Sequence, residues 1–177
     1  MTNEDYWYKD GIIYQTHVRA FFDSNDDGIG DFQGLTRKLD YLQDLGINIL
    51  WLLPFYPSPL RDDGYDIADY ENIHPSYGTL DDFRVFLRAA HERGLRVFTE
   101  LVLNHTSDQH PWFLESRSSR DSPKRDWYVW ADPRPDGRPP NNWMSSFPRA
   151  GRAWTFDEAT GQWYLHFFAA EQPNLNW

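Results

Sequence analysis

Three short stretches of this sequence carry side chains that could do chemistry. The first, DSNDDGIGD, begins at Asp23 and has oxygen-bearing side chains at its positions 1, 3, 5 and 9, with a glycine at position 6. Those side chains belong to Asp23, Asn25, Asp27 and Asp31, and the carbonyl group of Ile29 stands at position 7. Alternating oxygens in a tight turn can converge on one hard cation, as in the first nine positions of an EF-hand calcium loop.

This loop differs from a complete EF-hand in two respects. Gly34 occupies position 12, where an EF-hand has a bidentate glutamate, and no helical pattern precedes Asp23. An Asx-rich turn that needs no metal is therefore the alternative interpretation. Four acidic residues within nine positions would repel one another without a cation. That repulsion favours a structural divalent cation, which we expect to be calcium.

The second stretch, RDDGYD, contains Asp62 and Tyr65. Carboxylates beside an aromatic ring suit a sugar, because oxygens bind the hydroxyl groups while the ring covers the apolar C–H face. A polar loop around a buried tyrosine is an equally good interpretation.

The third stretch, NHTSD, contains His105. A histidine there can be purely structural, but its place after a predicted strand, level with the Tyr65 loop, favours a site.

Hydrophobic patterning predicts the elements that position these stretches. Short apolar runs predict three strands, and leucines at helical spacing or a Thr79/Asp82 capping box predict two helices between them. The predicted strands span 11–17, 47–53 and 95–103, the latter two buried, and the helices span 35–45 and 80–93. This alternation indicates a parallel α/β sheet, whose loops after the strands carry function. After residue 104 only 162–168 is predicted as a strand.

Composition excludes several classes of function. The chain has 17 basic and 27 acidic residues, a net charge of −10 and no cysteine, which argues against nucleic-acid binding, disulfides and thiol chemistry. No apolar run approaches the ~20 residues of a membrane span. The first ten residues, MTNEDYWYKD, lack the basic and apolar regions of a signal peptide. We therefore expect a cytoplasmic protein with no membrane or nucleic-acid partner.

Taken in order, these motifs resemble the N-terminal part of the α-amylase superfamily, glycoside hydrolase family thirteen. The similar segments are GIIYQTHVRAF, DSNDDGIGDFQGL, LDYLQDLGINILWLLPFYPSP, DDGYDIADY, LVLNHTSDQHPWF and QPNLNW. They are most similar to the branch that contains α-glucosidases, oligo-1,6-glucosidases and trehalose synthases. The resemblance implies an α/β fold in which residues 1–103 form the first three βα strands of a (β/α)₈ TIM barrel. Residues 104–177 would then begin an irregular domain inserted after strand 3.

The resemblance also implies roles for the residues singled out above. Tyr65 is similar to the aromatic residue that stacks on the glucose bound before the scissile bond. Asp62 is similar to the carboxylate that binds the 4-hydroxyl of a terminal glucose, and His105 to the histidine that donates to its 6-hydroxyl. The loop that starts at Asp23 resembles the divalent-metal site of the α-glucosidase branch.

The implied activity is that of an exo-acting, retaining α-glucosidase on maltose or short α-glucosides. The family's catalytic carboxylates would lie beyond residue 177, so no catalytic residue is assigned and the 177-residue chain alone is expected to be inactive. Because the segments WLLPFYPSPLRDDGYDIADY and TELVLNHTSDQHPWF look most like trehalose synthases, isomerisation of maltose to trehalose is the alternative. A non-catalytic barrel relative is the third hypothesis.

Overall fold

Three parallel strands form the first sheet, in the order β1–β2–β3. A computed structural model describes residues 3–177 and places β1 at Ile13–Thr16, β2 at Ile49–Leu52 and β3 at Arg96–Thr99. Helical segments separate consecutive strands, so the predicted alternation of strands and helices is confirmed. Each strand is shorter than the apolar run that predicted it.

The helices of this part of the chain are mostly short. They are α1 at Val18–Phe21, α2 at Phe32–Arg37, α3 at Leu39–Asp44 and α4 at Leu80–Glu92. The single helix expected over 35–45 is wrong, because α2 and α3 meet at Lys38, whose φ of −101° and ψ of 5° leave the helical region. The Thr36 hydroxyl donates to the carbonyl of Phe32 at 2.6 Å, a back-bond that bends helices.

The long helix α4 begins as the sequence predicts. The Thr79 hydroxyl accepts from the N–H group of Asp82 at 3.2 Å, and the Asp82 carboxylate accepts from the N–H group of Thr79 at 2.8 Å. This reciprocal capping box satisfies two N–H groups that the helix itself cannot use. Gly94 follows the helix with a φ of 73°, a conformation that glycine adopts without strain.

These elements pack as one unit, which comprises the chain up to Pro57 and the segment Glu71–Leu101. Its core is a single apolar cluster in which the leucines of α2 and α3 pack with β2 and α4. The fully buried members of the cluster are Val18, Phe32, Leu35, Leu39, Leu42, Leu50, Leu52, Phe86 and Ala90. The helical leucine spacing therefore predicts the burial of Leu35, Leu39 and Leu42 correctly, but it is wrong for Leu45, which is 52% exposed, and it misses the break between the helices.

The third strand is less buried than its apolar sequence predicts. All of β3 is exposed or half-exposed, and beyond it Leu101 is 71% exposed. Within residues 3–177 this strand pairs with β2 on one side only. An apolar run indicates a strand that is suited to burial, whereas the burial itself depends on which elements cover the strand.

The second unit comprises Ser58–Tyr70 and Val102–Trp177, so the loop after β2 groups with it. It contains helix α5 at Pro111–Ser118 and an antiparallel sheet in the order β4–β6–β5. The strands span Trp130–Ala131, Trp154–Asp157 and Gln162–Leu165, and only the last was predicted. Short 3₁₀ turns lie at Asn3–Lys9, Pro75–Tyr77, Arg125–Trp127 and Pro148–Ala150. Within residues 3–177 no helix is both long and apolar enough to cross a membrane.

Candidate functional site: a polar and aromatic cavity in the second unit

Asp62, Tyr65 and His105 line one cavity of about 280 Å³ in the second unit. The sequence predicts that His105 lies level with the Tyr65 loop, and the shared cavity confirms this placement. Phe147 and Phe168 complete the lining. Sequence reasoning missed both phenylalanines, because they lie in a segment without hydrophobic periodicity and nothing in their spacing distinguishes them from packing residues.

A tight turn presents Asp62 and Tyr65 to the cavity. The carbonyl group of Asp62 accepts from the N–H group of Tyr65 at 2.9 Å, which closes the turn. Between them, Asp63 and Gly64 have φ angles of 53° and 105°. Glycine adopts such angles freely and aspartate tolerates the left-handed region better than most residues, so the DDGY order suits this turn.

His105 is buried, and its two ring nitrogens have polar neighbours. Its Nε2 lies 3.1 Å from the carbonyl oxygen of Tyr65, and its Nδ1 lies 3.1 Å from the amide nitrogen of Asn104. A carbonyl group only accepts and an amide NH₂ group only donates. These two contacts favour a hydrogen on Nε2, whereas the Gln172 amide nitrogen, 3.0 Å from the same Nε2, favours an unprotonated Nε2.

A fully buried glutamine connects the two polar side chains of the cavity. The Gln172 amide nitrogen donates to Asp62 Oδ2 at 2.8 Å and lies 3.0 Å from His105 Nε2. Its own carbonyl oxygen accepts from the N–H group of Ala169 at 2.9 Å, which fixes the orientation of the amide. In the sequence Gln172 is the first residue of the QPNLNW motif, and nothing in that motif predicts its role here.

Burial lowers the pKa of His105 below its ordinary value of 6.5, against opposing contributions from the Tyr65 carbonyl and from the carboxylates of Asp62 and Asp66. The ring is therefore neutral at neutral pH and adds no charge to the cavity. The cavity thus combines a carboxylate acceptor, a neutral imidazole and an aromatic ring. Hydroxyl groups on an otherwise apolar ring match that combination.

Two aromatic rings form the rest of the wall. The Phe168 ring meets the His105 ring at a centroid distance of 5.3 Å and an interplanar angle of 63°. The Phe147 ring lies 5.4 Å from that of Phe168. Edge-to-face contacts of this kind hold aromatic rings in defined orientations. The wall beside His105 is therefore apolar, and its rings have defined orientations.

The predicted cation loop lies in the first unit, where its carboxylates accept hydrogen bonds from the loop itself. Asp23 accepts from the N–H groups of Asn25, Asp26 and Gly28 at 2.7–3.0 Å. The bond from Gly28 is the largest of the effects that together lower the pKa of Asp23. Asp27 accepts from the N–H group of Ile29 at 2.8 Å. These contacts form the Asx-turn network that the alternative interpretation describes.

Two further residues limit what this loop can offer a metal. Asp31 caps α2 by accepting from the N–H group of Gly34 at 2.6 Å, and its other oxygen accepts from Ser24. A Cβ atom at Gly34 would overlap the carbonyl oxygen of Phe22, so no glutamate ligand fits at that position. No group of three or more acidic or histidine side chains is placed to hold a metal ion in residues 3–177.

The exposed end of the loop still has unused acceptors. Oδ2 of Asp23 and the side-chain oxygen of Asn25 each accept one hydrogen bond, although each oxygen has two lone pairs. Oxygen atoms of this kind suit a hard cation. Calcium binding by Asp23, Asn25, Asp27, Asp31 and the carbonyl of Ile29 stays a prediction.

Comparison with known proteins gives matches over almost the whole chain. A family model described as the catalytic domain of alpha amylase matches residues 15–177. An oligo-1,6-glucosidase from Heyndrickxia coagulans is 54% identical over 171 residues, which cover 97% of this chain and 30% of that protein. An alpha-glucosidase from Candida albicans is 50% identical over 179 residues, covering 99% of this chain and 31% of that protein. The chain thus spans about 30% of the length of these curated relatives.

Solved structures match equally well over the same extent. A mutant of MutB in complex with its substrate sucrose superposes with a TM-score of 0.92 at 51% identity, over 97% of this chain and 30% of that one. The isomaltulose synthase SmuA from Protaminobacter rubrum gives a TM-score of 0.93 at 48% identity, again over 97% and 30%. MutB itself is described as a trehalulose synthase.

Proposed function

We propose, because this chain belongs to the α-amylase catalytic-domain family, that the whole protein is an exo-acting α-glucosidase. It would hydrolyse maltose or other short α-glucosides with retention of configuration. Within it, the parallel strands β1–β3 would be the first three strands of a (β/α)₈ barrel, and residues 104–177 would belong to an inserted domain. Two curated relatives named as oligo-1,6-glucosidase and alpha-glucosidase support the class of reaction.

The shared cavity of Asp62, Tyr65 and His105 carries this proposal. In it the Asp62 carboxylate would accept from a hydroxyl group at the far end of a terminal glucose. The Tyr65 ring would cover the apolar face of the sugar, and the neutral His105 ring would form a hydrogen bond with a second hydroxyl group. Recognition of a chain end on one side of the cavity is what exo-action requires.

The bond-breaking step needs groups that this chain does not supply. Retaining hydrolysis uses one carboxylate as nucleophile and a second carboxyl group that protonates the leaving oxygen. We assign neither role to a residue between 1 and 177. The contribution of this chain would be to hold the terminal glucose in a fixed orientation, so that its anomeric carbon faces the catalytic pair.

Replacing Asp62 tests the proposal in the whole protein. Asp62→Ala removes a charge-assisted hydrogen bond worth about 1.5–3 kcal/mol, so kcat/KM on maltose should fall about 10- to 100-fold. Asp63→Asn, which changes an exposed carboxylate in the same turn, should stay within about twofold. Wild-type protein that releases no glucose from maltose or isomaltose would refute the function. An Asp62→Ala variant with unchanged kcat/KM would refute the role of Asp62.

Glucosyl isomerisation is the second candidate. The observation in its favour is that solved structures at TM-scores of 0.92–0.93 include a trehalulose synthase and an isomaltulose synthase. Our alternative from the sequence, a trehalose synthase, likewise moves glucose within one bound disaccharide. Incubating the whole protein with maltose, and separately with sucrose, distinguishes the reactions. Accumulating monosaccharide supports the hydrolase, whereas an isomeric disaccharide without net release supports the isomerase.

A further inference from the structure

Asp66 is a fully buried carboxylate that accepts hydrogen bonds from three neutral donors. Its Oδ1 accepts from the hydroxyl of Ser58 at 2.9 Å and from the N–H group of Asp62 at 3.1 Å. Its Oδ2 accepts from the N–H group of Arg61 at 2.9 Å. Burying a charge is costly unless several hydrogen bonds satisfy it. Packing alone therefore does not explain why a carboxylate is buried at position 66.

The loop that surrounds this carboxylate is strained. Leu60 and Asp63 have φ angles of 58° and 53°, in the left-handed region that most non-glycine residues avoid. Such conformations persist only when their surroundings hold them. The Ser58 hydroxyl accepts from the N–H group of Leu60 at 2.9 Å while donating to Asp66. Several hydrogen bonds therefore connect the strained turn to the buried carboxylate.

We infer that Asp66 is a positioning residue of the candidate site, because its carboxylate holds the 58–66 loop in the shape that turns Asp62 and Tyr65 into the cavity. The inference rests on the proposed function and names a residue that sets its substrate recognition. Asp66 has no accessible surface and does not line the cavity, so it acts through Asp62 and Tyr65 and touches no sugar itself.

The chemistry of the three donors explains why an amide cannot replace the acid. Both carboxylate oxygens of Asp66 face N–H or O–H groups. In Asp66→Asn one oxygen becomes an NH₂ group that points hydrogen atoms at those donors, and at least one buried donor loses its acceptor. The loop would then relax and carry Asp62 away from its position in the cavity.

A double-mutant cycle in the whole protein tests this directly. Asp66→Asn should lower kcat/KM on maltose about tenfold or more. In an Asp62→Ala background the same substitution should lower kcat/KM by a clearly smaller factor, because the loss through Asp62 has already occurred and only the loss through Tyr65 remains. Asp63→Asn is the matched control, with the same chemical change at an exposed position of the same turn. Unfolding temperatures are recorded alongside, since a merely structural role would give independent, multiplicative losses.

A second variant and a crystal structure cover the remaining outcomes. Ser58→Ala removes one of the three donors and should lower kcat/KM in the same direction by a smaller factor, so it serves if Asp66→Asn does not fold. A crystal structure of either variant should show the 58–66 loop displaced. An unchanged loop, or equal losses with and without Asp62, overturns the inference. An inactive wild-type protein refutes the proposed function instead, and the position of the loop still decides the role of Asp66.

Discussion

The side-chain amide of Gln172 donates a hydrogen bond to the carboxylate of Asp62 at 2.8 Å, across 110 positions of sequence. Gln172 is completely buried, and Asp62 lines the cavity. The bond involves Oδ2 of Asp62, and the other carboxylate oxygen, Oδ1, does not contact this amide. A sugar hydroxyl would therefore meet a carboxylate whose orientation is already fixed, which reduces the entropy lost on binding.

Gln172→Glu should disrupt this arrangement without changing side-chain shape. It places a second carboxylate against Asp62, and like charges at hydrogen-bond distance repel. We expect kcat/KM of the whole protein on maltose to fall about 10- to 100-fold. Gln109→Glu is the control, because Gln109 is an exposed glutamine that donates to Asp108 in the same way. Equal effects of the two substitutions would contradict a specific role for Gln172.

The polar half of this site could be predicted from the sequence, and the rest could not. Asp62 and His105 each follow a buried or half-buried apolar run, and functional residues gather in the loops after parallel strands. Phe147, Phe168 and Gln172 come from the later part of the second unit, where the backbone follows irregular turns and short antiparallel pairs. Their positions depend on long-range contacts that leave no periodic pattern in the sequence.

Calcium should stabilise the protein through the loop that begins at Asp23. A ligand that binds only the folded state at about 100 times its Kd adds about 2.7 kcal/mol, so the melting temperature should be several degrees higher in calcium than in chelator. Asp27→Ala should abolish the difference. Asp26→Asn, at a position of the same loop outside the predicted ligand set, should retain it. Identical melting curves in calcium and chelator would contradict the prediction.

Asp157 should be a strong stabilising residue of the second unit. Its side chain is fully buried and accepts from Arg117 at 2.6 Å and from the Thr160 hydroxyl at 2.7 Å. Burial raises the pKa of Asp157, but the bonds from Thr160 and Arg117 outweigh it and hold the pKa below 3.8. Asp157→Ala should lower the free energy of unfolding by about 2–3 kcal/mol in urea titrations. Asp136→Ala breaks an exposed pair with Arg138 and should cost less than about 1 kcal/mol.

Mild acid should destabilise the protein through buried histidines. Burial lowers the pKa values of His105, His110 and His166 below 6.5. The unfolded chain then binds more protons than the folded one, so this stabilisation is complete above pH 6.5 and is lost as the pH falls below it. The melting temperature should drop between about pH 7.5 and about pH 5.5. His166→Gln should reduce the drop, whereas exposed His91→Gln should leave it unchanged.

Some features of the fold follow from local sequence patterns, and others do not. The Thr79/Asp82 capping box is a local interaction, and both of its hydrogen bonds form as expected. At the break between α2 and α3, the Thr36 hydroxyl donates to the carbonyl of Phe32. The leucine spacing continues across this break and therefore does not predict it. The exposure of β3 depends on what lies against it. Local chemistry is therefore predictable, whereas burial of an apolar run is a property of its neighbours.

Residues 1–177 expressed alone should show no α-glucosidase turnover and should self-associate. No pair of catalytic carboxylates is assigned to this chain, and retaining hydrolysis needs two. β1 and β3 form the edges of the three-stranded sheet, and the apolar side chains of Ile12, Ile13 and Leu101 are about half exposed or more. Unpaired edges and exposed apolar surface recruit other chains. Sedimentation velocity should show oligomers, and Leu101→Lys should increase the monomer fraction. Measurable hydrolysis of 4-nitrophenyl α-glucoside, or a monodisperse monomer, would overturn the corresponding half of the prediction.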